Sequence, residues 1–177
     1  MCWYRAVALL LLLAGCQDDG GRSSASSGAT PPATGLERAA IESGVIADTA
    51  KLSPVGLFQR RHEAGRDSFC AIPGRAGDFR FGMEAVFGKG QSCRGGGTAR
   101  QAGDKLILRF RGEGGCIIIG QYDGDQFSLP GVLDVKCADL CKGRGSLEGV
   151  SFPRVGSEAG SALRAQDRGG KPLCTLD

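Results

Sequence analysis

The sequence predicts a small, mainly β domain: an antiparallel meander or barrel of about eight short strands, with an N-terminal and a C-terminal helix, held together by disulfides. Three observations predict this fold class. Apolar and polar residues alternate with a period of two along several short segments, as in strands that bury one face. Glycine accounts for 30 of the 177 residues and separates these segments. Beyond residue 16 there are six cysteines, an even set.

The first predicted element is a helix from Gly35 to about Asp48. Thr34 and Glu37 have the spacing of a capping box, in which each side chain accepts a hydrogen bond from the other residue's backbone N–H. Apolar residues at helical spacing follow, namely Leu36, Ala40, Ile41, Val45 and Ile46. Pro54 lies beyond the predicted end of this helix.

Eight segments then have the patterns of strands: 55–60, 68–72, 78–88, 94–101, 105–111, 116–122, 126–129 and 146–154. The clearest is 78–88, in which Phe79, Phe81 and Met83 alternate with Arg80 and Gly82, so we expect one face of this strand to be buried. Closure of these strands into a barrel removes exposed edges, which favours a closed meander.

Two tight turns connect four of the strands. Gly103-Asp104 is expected to join 94–101 to 105–111, and Asp123-Gly124-Asp125 to join 116–122 to 126–129. An Asp-Gly pair predicts a type I′ turn, which needs positive φ at both central residues. Asp123 and Asp125 could also suggest calcium, but a twelve-residue cation loop is absent from the sequence and turn chemistry explains both carboxylates.

The end of the chain predicts two further helical pieces. Residues 138–142 predict a single helical turn, and Ser157 to Arg168 predict a final helix with a modest apolar content. Gly169-Gly170 is expected to stop this helix.

The even cysteine set predicts three disulfides in an oxidising compartment, formed by Cys70, Cys93, Cys116, Cys137, Cys141 and Cys174. Sequence alone leaves their connectivity open. If the hairpin at Gly103-Asp104 brings its two outer ends together, Cys93 pairs with Cys116. Zinc at Cys137 and Cys141 is the alternative, but a structural zinc site needs two close pairs of ligands. We therefore predict no metal site and no cofactor.

The amino terminus has the layout of an export signal. Arg5 precedes an apolar run over residues 6–15, which is too short to span a membrane because a spanning helix needs about 20 apolar residues. The run ends in Leu13-Ala14-Gly15-Cys16, which resembles the lipobox of bacterial lipoproteins. In that family the signal is removed before the cysteine, whose thiol receives a diacylglyceryl group and whose amine receives an acyl chain such as palmitate. The resemblance implies a signal peptide over residues 1–15 and lipidation of Cys16; an ordinary signal peptide is the alternative.

Residues 16–34 are the lipidated cysteine and a spacer rich in Ser, Gly and Pro, which holds too few large apolar side chains to fold. One domain remains at 35–177. Acyl chains on Cys16 would anchor the protein in a lipid bilayer. Gln17, and not the aspartate that retains Gram-negative lipoproteins at the inner membrane, follows Cys16. The resemblance thus implies the outer membrane, facing the periplasm or the surface; the periplasmic face of the inner membrane is the alternative.

The folded part of the sequence contains no recognisable catalytic motif. The 22 basic and 19 acidic residues nearly balance, which argues against a nucleic-acid partner. His62 is the only histidine, and we expect it in an exposed loop. Ser92 and Ser146 are flanked by glycine but lie in no nucleophile elbow, and Gly88-Lys89-Gly90 lacks the spacing of a phosphate loop. We assign no catalytic residue.

The layout predicts a non-enzymatic binding or structural module with an envelope protein or peptidoglycan as its partner. A lipid anchor, a spacer and a small disulfide-bonded β domain are similar to the lipoprotein inhibitors of lysozyme, so inhibition of lysozyme-like enzymes is an alternative. The Ser-rich loop and Lys of those inhibitors have no match here. Arg80-Phe81-Gly82, Leu129-Pro130-Gly131 and Pro172-Leu173-Cys174 resemble uncharacterised envelope lipoproteins of Gram-negative bacteria. A hydrolase of envelope polymers that uses Glu84 and Glu113 is the less favoured alternative.

Overall fold

The computed structural model describes residues 34–112 and 114–176, apart from the side chain of Ala50. The predicted signal peptide, Cys16 and the spacer up to residue 33 lie outside the described residues. No helix within the two described stretches is long and apolar enough to cross a bilayer.

The first helix, α1, spans Gly35–Glu42 and is shorter than predicted. Thr34 caps it as expected, because its Oγ1 accepts a hydrogen bond from the backbone N–H of Glu37 at 3.3 Å. Ser43 ends the helix, and Gly44 follows with a φ of 74°. None of the side chains of α1 is buried, so its apolar stripe is not a core face.

The described residues then form nine strands: β1 Gly56–His62, β2 Gly65–Pro73, β3 Phe79–Gly88, β4 Gln91–Ala102, β5 Lys105–Phe110, β6 Ile117–Tyr122, β7 Gln126–Ser128, β8 Cys141–Lys142 and β9 Ser151–Gly156. Eight of them close an antiparallel barrel, because β1 to β7 pair in chain order and β9 lies between β7 and β1. The two-residue strand β8 pairs only with β4 and stands beside the ring. The predicted barrel of about eight antiparallel strands is confirmed.

The turn between β6 and β7 differs from the predicted type I′. Gly124 has a φ of 103°, but neither Asp123 nor Asp125 has a positive φ, so only one central residue has the left-handed geometry. Asp123 Oδ1 instead accepts hydrogen bonds from the backbone N–H groups of Asp125 at 2.9 Å and Gln126 at 2.7 Å. These bonds hold the loop in the side-chain-supported turn that aspartate favours.

The interior of the barrel is filled by aromatic side chains. Phe69 lies at its centre, with its ring centroid 4.6 Å from Phe127 and 5.6 Å from Phe58. Phe81 and Phe110 meet edge to face at 4.9 Å. Burial of each of these aromatic side chains contributes about 1.5–3 kcal/mol to the free energy of folding, so the cluster supplies a large part of the stability of the barrel.

A second apolar layer covers the outside of β1, β2 and β3. The short helix α2, Ala159–Leu163, packs against β1 and β2, and Ala162 and Ala165 join Cys70, Ile72 and Cys174 in a small buried cluster. The predicted burial of the β3 face that contains Phe81 and Met83 is confirmed, but it is not the only buried face. Both faces are buried from Phe81 to Val86, since the chain returns over the outer one.

Both predicted helical pieces near the C terminus are shorter or shifted. Residues 138–142 divide between a 3-10 helix, Val135–Leu140, and strand β8. The final helix ends at Leu163, five residues before the predicted end at Arg168. The chain then folds back on itself, because the backbone N–H of Leu173 donates to the carbonyl of Ala165 at 2.9 Å. We call residues 164–176 the C-terminal strap.

The six cysteines form three disulfides, Cys70–Cys174, Cys93–Cys141 and Cys116–Cys137, so the predicted pairing of Cys93 with Cys116 was wrong. The two hairpin ends are not level. The carbonyl of Cys116 accepts a bond from Phe110, which pairs with Gly97, whereas Cys93 lies four residues farther along β4. At about 3.3 Å per residue this offset is about 13 Å, which no disulfide spans. Residues 135–142 fill the gap and supply both partners.

Candidate functional site

A cleft of about 690 Å³ lies against the outer face of β4. Its floor contains Gly95 and Gly96, and its two walls come from segments 139–142 and 172–175. We call it the β4 cleft. Because side chains alternate along a strand, the burial of Cys93 in the core turns Arg94 and Gly96 outward, toward the cleft.

The cleft exists because β4 is longer than its partner strands. Pairing with β5 starts at Gly97, and pairing with β8 stops at Cys93, so residues 94–96 lie between these two partners. One bond bridges this interval, from the backbone N–H of Arg111 to the carbonyl of Gly96 at 2.9 Å. At Arg111 the chain leaves the sheet, and the departing chain opens the space that becomes the cleft.

Close backbone packing requires the glycines at the floor. A Cβ at Gly97 would lie 1.9 Å from the carbonyl oxygen of Arg109, and a Cβ at Gly95 would lie 2.5 Å from the ring of Phe110. Gly96 pairs with Gly82 of β3, where a Cβ would lie 2.0 Å from the carbonyl oxygen of Leu173. Packing alone therefore accounts for these glycines, and it leaves a floor without side chains.

Disulfides hold both walls of the cleft. Cys70–Cys174 fixes the strap that carries Pro172 and Leu173. The opposite wall, with Leu140 and Lys142, is fixed on either side by Cys116–Cys137 and Cys93–Cys141. The cleft is thus a rigid, pre-formed concavity, which lowers the conformational entropy that the protein loses when a ligand binds.

Ion pairs and hydrogen bonds satisfy part of the charge around the cleft. Arg94 forms an ion pair with the buried Asp167 at 2.6 Å, and Glu84 accepts a hydrogen bond from the backbone N–H of Arg168 at 2.7 Å. Both contacts tie the strap to the barrel wall. Within the described part of the chain, the side chains of Arg111 and Lys142 make no ion pair or hydrogen bond. Two cations, Arg111 and Lys142, and one carboxylate, Asp139, are therefore available to a ligand, so the free charge of the cleft is positive.

No protein-family model matches the chain, and no curated protein or solved structure shows significant similarity to it. A function for this domain therefore has to be inferred from its own residues.

A second polar cluster surrounds Asp67, away from the cleft. This carboxylate is 1% exposed and accepts bonds from three residues: two from Arg60, at 2.8 and 3.3 Å, one from the backbone N–H of Val86 at 2.8 Å, and one at 3.0 Å from His62 Nε2 in the tautomer that carries its proton there. The sequence predicted His62 in an exposed loop. In the structure it is instead the last residue of β1. It fastens the β1–β2 hairpin to β3 together with Asp67.

Arg154 packs against the rings of Phe58 and Tyr122 at the edge of the aromatic core. Its guanidinium carbon lies 4.6 Å from the ring centroid of Phe58, and its nitrogens donate to the carbonyls of Val55 and Ser53 at 2.9 Å each and to the hydroxyl of Tyr122. Burial raises the pKa of the Tyr122 phenol above its ordinary value of 10.0, while the cation of Arg154 opposes that rise. This group is structural, because all its contacts stay within the core and the chain around it.

The residues weighed from the sequence have separate places in the fold. Ser92 lines the β4 cleft, whereas Ser146 donates to Glu148 at 3.2 Å elsewhere on the surface. Glu84 lies in the cleft, and Glu113 falls outside the described residues. Within the two described stretches, no group of three metal-ligating side chains occurs, and Cys137 and Cys141 are both in disulfides.

Sequence reasoning missed the residues that define the cleft. Arg94, Arg111 and Lys142 are far apart in the chain and belong to no motif. The run Gly95-Gly96-Gly97 was the available signal, because three glycines inside a strand indicate close backbone approach.

Proposed function

We propose that this domain is a non-enzymatic binding module of the bacterial cell envelope and that its β4 cleft binds a carboxylate-bearing part of peptidoglycan. One observation carries the proposal: Arg111 and Lys142, both without a partner among the described residues, border a rigid floor that has no side chains. A concave site with fixed walls and two unpaired cationic side chains in its lining suits an anion.

Carboxylate is the anion that this geometry favours. A guanidinium presents parallel N–H groups that match both oxygens of a carboxylate, and an ammonium adds a point charge beside it. Peptidoglycan carries free carboxylates on its short peptides, and it lies between the membranes where an exported lipoprotein would meet it.

The proposed tether suits this role. Lipid on Cys16 would anchor the chain, and the composition of residues 17–34 predicts a spacer between that anchor and the barrel. In this proposal the protein is held at the outer membrane.

Co-sedimentation tests the proposal. The exported, lipidated protein in detergent is mixed with purified peptidoglycan sacculi, and the bound fraction is measured over a range of sacculus concentrations. We expect saturable binding that weakens as salt rises, since exposed charges are screened. The double variant Arg111→Ala/Lys142→Ala should bind at least about tenfold more weakly. Lys89→Ala, which removes an exposed charge at the β3–β4 turn, is the matched control and should bind like the wild type. Equal binding by the double variant and the wild type would overturn the proposal, as would no binding at all.

A hydrolase is the second candidate, because Glu84 is 7% exposed and lies in the cleft. Buried carboxylic acids in clefts are candidate general acids. Its Oε2, however, already accepts the backbone N–H of Arg168, which favours a role in fixing the strap. Release of soluble fragments from the sacculi by the wild type, lost in Glu84→Gln, would establish the hydrolase and replace the binding proposal.

A further inference from the structure

The protein's own C-terminal strap shows how an extended chain lies on this wall of the barrel. Residues 172–175 run over the outer face of β3, and the carbonyl oxygen of Leu173 occupies the place that a side chain at Gly82 would need. The strap is held there by the bond from the backbone N–H of Leu173 to Ala165 and by the Cys70–Cys174 disulfide. The backbone of the strap thus packs directly on Gly82, a glycine on the outer face of β3.

The register partner of Gly82 presents the same kind of surface one strand farther round. Gly96 pairs with Gly82, and it also lacks an outward side chain. The three atoms nearest to a Cβ built at Gly96 all belong to Phe81 and Gly82 of β3, and none to the strap or to the opposite wall. The floor over Gly96 is therefore open, directly beside the strap.

The lining of this open floor combines apolar and charged side chains. Leu140, Pro172 and Leu173 supply apolar contact along the walls. Arg111 and Lys142 supply two positive charges against the single free carboxylate of Asp139, and Gly96 itself is bonded to the backbone of Arg111. An occupant that complements both features has an apolar side chain and a negatively charged group close to it.

We propose that the β4 cleft binds the carboxyl-terminal end of a short extended peptide, with the peptide backbone over Gly96 beside the strap and its terminal carboxylate between Arg111 and Lys142. This inference rests on the proposed binding function and names the part of the ligand that is recognised: the peptide end, and not the glycan. Capture of a carboxyl terminus by backbone and cationic groups is a recurring mode of peptide recognition.

Two synthetic peptides test the inference. An N-acetylated tetrapeptide of alanine and leucine with a free carboxyl terminus is titrated into the isotopically labelled lipidated protein in detergent, and so is the same peptide with a terminal amide. We expect the acid to bind at least about tenfold more tightly than the amide. Its binding should shift the backbone amide signals of residues 95–97 and of Leu173. Arg111→Ala should reduce the preference for the acid, whereas Lys89→Ala should leave it unchanged.

The outcomes separate the two proposals. Sacculus binding with equal affinity for acid and amide would overturn the peptide-end inference and leave the binding function standing. A preference for the acid with signal shifts confined to residues away from the cleft would also overturn the inference. Failure of both sacculi and peptide to bind would overturn both proposals together. Tighter binding of inorganic phosphate than of the acid peptide would show a phosphate site instead.

Discussion

Replacement of Asp67 by alanine should destabilise the barrel by about 2–4 kcal/mol. The substitution leaves the buried backbone N–H of Val86 without its acceptor, which costs about 1–3 kcal/mol. Arg60 and His62 also lose their partner, but their side chains are 41% and 29% exposed and can turn to water, so their loss adds only about 1 kcal/mol. Asp67→Asn keeps an oxygen for Val86 but replaces the oxygen that accepts from Arg60 by an NH2 donor, and because Arg60 is partly exposed we expect a loss of only about 1 kcal/mol.

Urea unfolding followed by circular dichroism measures these changes as a shift of the midpoint at constant slope. Hydrogen exchange gives the local readout, because the amide of Val86 should lose protection in Asp67→Ala and keep most of it in Asp67→Asn. Glu63→Ala is the matched control, since Glu63 is exposed in the adjacent turn, and it should change stability by less than about 0.5 kcal/mol. An alanine variant as stable as the wild type, or an asparagine variant as damaged as the alanine one, would refute this account of the cluster.

Three further predictions concern other parts of the chain. Burial raises the pKa of Tyr122 in the folded state, so its contribution to the free energy of unfolding should be fully present below the ordinary pKa of 10.0. That contribution should be lost as the pH rises above 10.0 and through the raised pKa. Near-ultraviolet absorbance of the phenolate and urea unfolding at rising pH check this, and a Phe variant should lose the pH-dependent fall. Gly82→Ala should lower stability by about 1–3 kcal/mol and expose the amide of Leu173 to exchange, because a Cβ there overlaps the strap; Gly131→Ala, with no atom within 4 Å of its Cβ, should change little. Cys16→Ser should abolish membrane partitioning, which fractionation of cells measures, and unchanged partitioning would contradict lipidation.

The strands could be predicted from the sequence because their signal is local. The alternation of apolar side chains in 78–88 and 105–111 reports the pleat of a single strand, and the glycines at 103 and 124 mark the turns between neighbours. The cap of α1 at Thr34 was equally readable, because both of its partners lie within one turn. The length of α1 was harder to predict. Apolar residues at helical spacing in 35–48 do not show whether the folded domain offers a surface for that helix face to pack against.

The candidate site could not be predicted, because its parts meet only through long-range pairing. Arg94 and Lys142 lie at opposite ends of a disulfide-linked excursion, and Leu173 reaches the cleft through a strap that crosses the outside of the barrel. The same strap buries the outer face of β3, which a single-strand pattern presents as exposed. The predicted pairing of Cys93 with Cys116 was wrong for a related reason, because the offset between these two cysteines depends on where β5 leaves β4.

The sequence by itself determined the strand segments, the turn positions and the even set of cysteines, because each depends on residues within a few positions of one another. The tertiary structure decided which cysteines pair, which outer face is covered and where Arg111 and Lys142 meet a floor of glycines. These features depend on register and on the path of the returning chain, whose free energy comes from contacts between residues up to 104 positions apart. A local sequence pattern does not show which of these distant residues meet, whereas closure of the barrel fixes their positions relative to one another.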